Sequence, residues 1–211
     1  MLFFGRKEKI GGIIGYLKLG SFWNACSAEE KSLIIRYYRK RLGTGKNSSP
    51  IEGNINHYSQ SALSYLTGLI GWAVYDKKYS FADKIIEYAE KEVQHSTSSI
   101  DKHFYLQAVA DYYYKRIGTK NNAMDKAIEY CHRDVELFPL YRTPLKKNIG
   151  ELPRIMTFQR LVMLYEKQEK YIEAIEICKK AIKYNLSDST KTGYNGRMER
   201  LQKKLQKNKA K

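Results

Sequence analysis

The sequence predicts an all-α protein built from antiparallel helix pairs, and three observations lead there. Its 211 residues include only 4 prolines and 14 glycines, which leaves room for long helices. Apolar residues recur at i, i+3, i+4 and i+7 in successive segments, the spacing of one buried helix face. Hydrophobic residues make up 43% of the chain, enough for a sizeable core, and 18 are tyrosines, which pack a large ring while keeping a hydroxyl for polar contact.

The first clear helix is announced by Ser27-Ala-Glu-Glu30, a capping box in which hydroxyl and carboxylate satisfy each other's free backbone donors. Leu33, Ile34, Tyr37, Tyr38 and Leu42 continue it at helical spacing, Gly43 ends it, and residues 43–58 read as a loop. Three helix pairs follow over 59–187. In the last, Pro153 suits a first helical turn, helix A runs to about Gln168, and helix B runs from Tyr171 to about Tyr184. Tyr171, Ala174, Ile175, Cys178, Ala181 and Ile182 form the apolar stripe of helix B. A polar turn after Asn185 leads to a final helix, about Tyr194 to Gln206, with Met198, Leu201 and Leu205 as a narrow seam that caps the stack. The expected organisation is thus an extension over 1–58, paired helices over 59–187, and a basic cap over 188–211.

These pairs resemble the tetratricopeptide repeat family, whose 34-residue pattern is W-x2-L-G-x2-Y…A-x3-F…P. The third pair supplies Phe158-x2-Leu161-Val162-x2-Tyr165, then Ala174-x3-Cys178-x2-Ala181. The second supplies Leu106-x2-Val109-Ala110-x2-Tyr113, then Ala127-x3-Cys131 and a closing Pro139, and the first Leu66-x2-Leu69-Ile70-x2-Ala73, then Ala82-x3-Ile86-x2-Ala89. Ala82, Ala127 and Ala174 are 45 and 47 residues apart, so the repeats carry insertions at Gly118–Asn122 and in a 139–153 connection. The resemblance implies tetratricopeptide-like pairs stacked as a short right-handed solenoid with a carboxy-terminal capping helix. Residues 193–201 after a repeat also look like uncharacterised bacterial and phage repeat proteins.

The net charge of +16 is concentrated at the ends. Residues 1–50 hold ten Lys and Arg against Glu8, Glu29 and Glu30, and residues 191–211 hold eight against Glu199 alone, while the middle is nearly balanced. A neutral helical body with basic ends differs from a uniformly basic nucleic-acid coat. Cys26, Cys131 and Cys178 are widely spaced, form no metal-ligand pattern with the four histidines, and read as buried free thiols of a reducing compartment. The run Ile10–Leu17 is far shorter than the roughly 20 residues a membrane span needs, and no leader pattern precedes it. The expectation is a cytoplasmic protein, with peripheral membrane contact through Phe3, Phe4 and the neighbouring bases as a weak variant.

No enzyme signature stands out, and no cofactor or metal is called for. Gly43-Thr-Gly-Lys46 lacks the P-loop glycine at position 40, occupied by Lys40, and the hydroxyl at 47, occupied by Asn47. Cys131 and His132 are helix neighbours pointing about 100° apart, and His57, His95 and His103 (near Asp101) read as surface residues. The resemblance implies a binding face on the helix A side chains: Ser64, Thr67 and Tyr75; Phe104, Gln107, Asp111, Tyr114 and Lys115; Met156, Gln159, Met163 and Lys167. The Lys/Asn/Lys/Arg clamp with which some family members grip a terminal carboxylate has no counterpart. Arg154, Arg160, Lys191, Arg197 and Arg200 are anion-binding candidates, with Arg197, Arg200, Lys203 and Lys204 expected on the exposed side of the last helix and Arg142, Lys146 and Lys147 in the inserted connection. The leading expectation is a non-enzymatic repeat protein that captures an acidic or amphipathic protein segment. The alternative is a binder of a nucleotide-type small molecule through Tyr stacking and Arg/Lys contacts, and nucleic acid comes third.

Overall fold

The computed structural model describes residues 10–41, 43 and 45–209, with backbone alone at 41 and 209. Phe3, Phe4, Arg6, Lys7, Lys9, Leu42 and Thr44 lie outside the described residues. Among the described residues the regular structure is ten α-helices and no strand, which agrees with the all-α reading. None of these helices is long and apolar enough to cross a membrane.

The chain divides into two compact units, residues 1–96 and 97–211. The division falls at Ser96, so the first helix pair lies in the same unit as the segment before it.

In the first unit the helices are α1 (Gly12–Tyr16), α2 (Gly20–Ala25), α3 (Ala28–Arg41), α4 (Ala62–Tyr75) and α5 (Tyr79–His95). The glycine-rich start, read as a mere short run, makes α1 by lying directly on the loop before α4. The amides of Gly11, Gly12 and Ile14 donate to the carbonyls of Ile51, Gly53 and Pro50 at 2.8, 2.8 and 3.0 Å. A Cβ on Gly12 would stand 2.5 Å from the Pro50 oxygen, and its φ of +56° is left-handed, so only glycine fits. The Ser27 box forms reciprocally: Glu30 N–H donates to Ser27 Oγ at 3.2 Å, and Ser27 N–H to Glu30 Oε2 at 2.7 Å. Ser61 caps α4 by accepting from the Ser64 amide. Fully buried Ala73, Ala82 and Ala89 let α4 and α5 approach closely while Leu66, Leu69, Ile70, Phe81 and Ile85 fill the seam.

The second unit contains α6 (Ser99–Lys115), α7 (Ala123–Ile149), α8 (Met156–Lys167), α9 (Tyr171–Lys183) and α10 (Gly193–Lys209). Each packs on the next, and α6 also touches α8. The 139–153 connection is corrected here: α7 continues through Pro139 and Pro144 to Ile149, so Pro139 closes nothing and Arg142, Lys146 and Lys147 are helical. An interior proline costs about 3 kcal/mol, but Val135, Phe138, Tyr141 and Leu145 remain buried along one face, and their packing outweighs it. Pro144 has no N–H for the Leu140 carbonyl, and Ser99 Oγ donates to that oxygen instead at 3.3 Å. Pro153 likewise lies outside α8. Buried Ile155 sits in extended backbone at the N-cap, which starts the helix three residues after the proline.

The α4–α5 and α8–α9 turns are the same object. Lys77 and Glu169 take φ of +57° and +58°, Lys78 and Lys170 form the next N-caps, and their amides reach back to the carbonyls of Ala73 and Tyr165 at 2.8 and 2.9 Å. Ala73 and Tyr165 are also the residues that the sequence pattern aligns with each other.

Candidate functional site

Helix α6 turns about half of its circumference to the core. His103, Tyr105, Leu106, Val109, Ala110 and Tyr112 face the core, which leaves Phe104, Gln107, Ala108, Asp111, Tyr114 and Lys115 as one half-buried to exposed stripe. On α8 the residues turned away from Phe158, Leu161, Val162 and Tyr165 are Met156, Gln159, Arg160, Met163 and Lys167. The two stripes are joined. Arg160 donates from Nη2 to Asp111 Oδ1 at 2.8 Å, Lys115 Nζ lies 2.7 Å from Asp111 Oδ2, and the Arg160 guanidinium lies 4.8 Å from the Tyr114 ring centroid. The Arg160 side chain is only 10% exposed, and its Nη1 is buried without an acceptor among the described residues. Arg154, exposed just before α8, donates to the Gln159 side chain. Phe104 and Met163 remain 46% and 39% exposed, so the face has apolar points beside fixed cations. Tyr75, on α4, is exposed in the other unit, where Ser64 and Thr67 are half-buried.

The remaining anion candidates separate. Lys191 is exposed in the turn before α10, and exposed Arg200 approaches Thr192 Oγ1 at 3.5 Å. Arg197 is a correction: it is buried, with Nε and Nη2 at 3.0 and 2.9 Å from Asp188 Oδ2. Burial alone would raise the Asp188 pKa, but hydrogen bonds from the Thr190 hydroxyl and amide, together with Arg197, hold it below the ordinary value. The Arg197 charge is therefore neutralised inside the α9–α10 junction.

His103 is the second correction. It is buried, and Asp134 of α7, not Asp101, is its partner, at 2.7 Å. Asp134 Oδ2 also accepts from the hydroxyls of Tyr141, at 3.2 Å, and Thr157 of α8. The Tyr141 ring stacks on His103 at 4.0 Å, and burial plus the Asp134 charge push its hydroxyl pKa far up. This closed network ties α6, α7 and α8 together beneath the face. Its sequence signal was a lone Asp inside the apolar stripe Cys131, Val135, Phe138.

Cys26, Cys131 and Cys178 are free and buried, and burial pushes their thiol pKa values up to about 11, 12 and 12. Among the described residues no group of three His, Cys, Asp or Glu side chains is arranged to hold a metal ion.

A protein of Aquifex aeolicus (strain VF5), described as an uncharacterized protein, is 36% identical over 94 residues, covering 42% of this chain and 43% of that protein. The chain thus spans less than half the length of the relative it matches. No protein-family model matches the sequence, and no solved structure matches it.

Proposed function

We propose that this chain is a non-enzymatic helical-repeat binding protein of tetratricopeptide-like design, and that its α6–α8 face holds an acidic, amphipathic protein segment. The observation that carries this reading is the Arg160–Asp111 pair, which joins two first helices of successive pairs while Phe104 and Met163 stay open beside it. Exposed apolar side chains rimmed by fixed charge are what an amphipathic segment needs, and aromatic anchors dominate such interfaces. Arg154 and Lys167 favour an acidic partner, because Asp111 is already paired with both Arg160 and Lys115. The repeated turn at Lys77 and Glu169 supports the repeat reading, and α10 takes the place of a capping helix. Nucleic acid is the weaker reading, since Arg197 and Arg160 have internal partners and extend no basic track.

Fluorescence anisotropy with labelled amphipathic 15-residue peptides, matched in apolar pattern but acidic or basic on the polar face, tests the reading. The acidic peptide should bind at least tenfold tighter, and Phe104→Ala with Met163→Ala should weaken it at least tenfold without a change in Tm. Equal affinity for both peptides, or no response to the double substitution, rejects it.

A further inference from the structure

The first unit carries a basic cavity that the α6–α8 reading does not use. Ser32, Ile35, Arg36, Arg39 and Lys40 line it from α3, and Lys46 lines it from the following loop, around about 580 Å³. The five helical positions follow i, i+3, i+4, i+7 and i+8, so they form one face of α3. The volume falls within the roughly 300–1,000 Å³ of small-molecule sites.

The charge around the cavity is one-sided. Of the six described residues that line it, four are cationic and none is acidic. The acids of α3 stand at the other end of the helix, where Glu29 pairs with Lys78 and Glu30 with Lys84. Arg36 is held at the rim by Asp76 at 2.5 Å, beside a second hollow lined by Arg36, Tyr37, Lys40, Asp76 and Lys78. Arg39 donates from Nε to the Ser48 carbonyl at 2.8 Å, and Ser48 in turn bonds the Gly45 carbonyl through its amide and hydroxyl at 2.9 and 2.6 Å. These bonds pin the loop that carries Lys46 against the helix. Among the described residues neither Lys40 nor Lys46 has a carboxylate within ion-pair distance.

A solvated basic helix face needs no opposing wall. Here the loop brings Lys46 to the cations of α3, and like charges drawn into one concavity repel unless an anion joins them. We propose that this cavity binds a phosphate-rich small molecule of nucleotide size, bearing at least two phosphate groups. Among the described lining residues Arg39, Lys40 and Lys46 have no carboxylate at ion-pair distance, which matches the roughly −3 charge of a diphosphate. Ile35 and the aliphatic stems of the basic side chains supply an apolar wall for the remainder.

Isothermal titration calorimetry on the full chain with inorganic pyrophosphate and with ATP tests the site, alongside Lys40→Glu with Lys46→Glu. Both lysines are exposed, so the double variant should keep the parent's Tm. Pyrophosphate and ATP should bind the parent, and the double variant should bind each at least tenfold more weakly. The Phe104→Ala, Met163→Ala protein should bind both like the parent, which separates this site from the peptide face. ATP binding tighter than pyrophosphate supports a nucleotide, whereas equal affinity supports a site for the phosphates alone, and either upholds the proposal. Should the glutamate variant melt lower, Lys40→Gln with Lys46→Gln replaces it, with at least a threefold loss expected. Absence of binding by both ligands at millimolar concentration overturns the proposal, as does unchanged affinity in the charge variants. A single-stranded 20-nucleotide RNA that binds with a steep salt slope while ATP does not also overturns it, in favour of nucleic acid.

Discussion

His103 Nδ1 lies 2.7 Å from Asp134 Oδ1, and the two side chains are 2% and 0% exposed. The pair spans α6 and α7, and Thr157 brings α8 to the same carboxylate. A buried carboxylate is tolerated when its lone pairs are occupied, and here three donors from three helices occupy them.

Asp134→Ala should therefore destabilise the second unit by about 3–5 kcal/mol, because three buried donors lose their acceptor at once. Urea denaturation followed by circular dichroism reads this directly. A loss below about 1 kcal/mol would show that water or a shift of α7 replaces the carboxylate.

Ala174 is fully buried where α9 meets α8. Ala174→Arg forces a long charged chain into that contact and should destabilise by about 4 kcal/mol or more. Ala82 holds the equivalent place in α5 and is equally buried, so Ala82→Arg should be as damaging to the first unit. Parent-like melting of either variant would contradict the shared repeat register.

The Asp188–Arg197 pair gives a pH dependence of known sign. The folded Asp188 carboxyl titrates below its unfolded value, which is about 3.9. Its stabilisation is fully present above that unfolded value and is lost as pH falls through the lower folded one. Asp188→Asn should cost about 3 kcal/mol at pH 7, and the gap to the parent should narrow as pH drops below about 4. A gap constant from pH 7 to pH 3 would mean that the charge of Asp188 contributes nothing.

Ser99 and Pro144 should be coupled through the Leu140 carbonyl. Ser99→Ala should cost about 0.5–1 kcal/mol in the parent, because that carbonyl loses its donor. In a Pro144→Ala background the restored helical N–H takes the same oxygen, and Ser99→Ala should cost almost nothing. Additive effects in this double-mutant cycle would show that the hydroxyl acts elsewhere.

The elements that announce themselves locally were legible in the sequence. Ser27 and Glu30 cap α3 as their spacing predicts, and the stripe of Ala174, Ile175, Cys178 and Ala181 is the buried face of α9. The face positions of α6 and α8 came instead from the resemblance to tetratricopeptide repeats, and among them Phe104, Lys115, Met163 and Lys167 are exposed. What failed depends on distant partners. Pro139 reads as a stop until the buried face through Phe138 and Tyr141 is known. His103 reads as surface beside Asp101, because Asp134 stands 31 residues away. The Arg160–Asp111 pair spans 49 residues, and Arg197 looked solvated within a run of bases although Asp188 precedes it by nine. The α3 cavity was hidden because Lys46 joins its face only through the bend of the loop.

The backbone splice between residues 11–14 and 50–53 also bears on how the chain comes into being. Gly11, Gly12 and Ile14 find their acceptors at Ile51, Gly53 and Pro50, about forty residues later in synthesis. A chain that emerges amino end first can form α3 from its own local bonds, but α1 has no place to dock until residue 53 has left the ribosome. Residues 11–14 thus dock only after α3 and the loop behind it have been made, although they precede both in the chain.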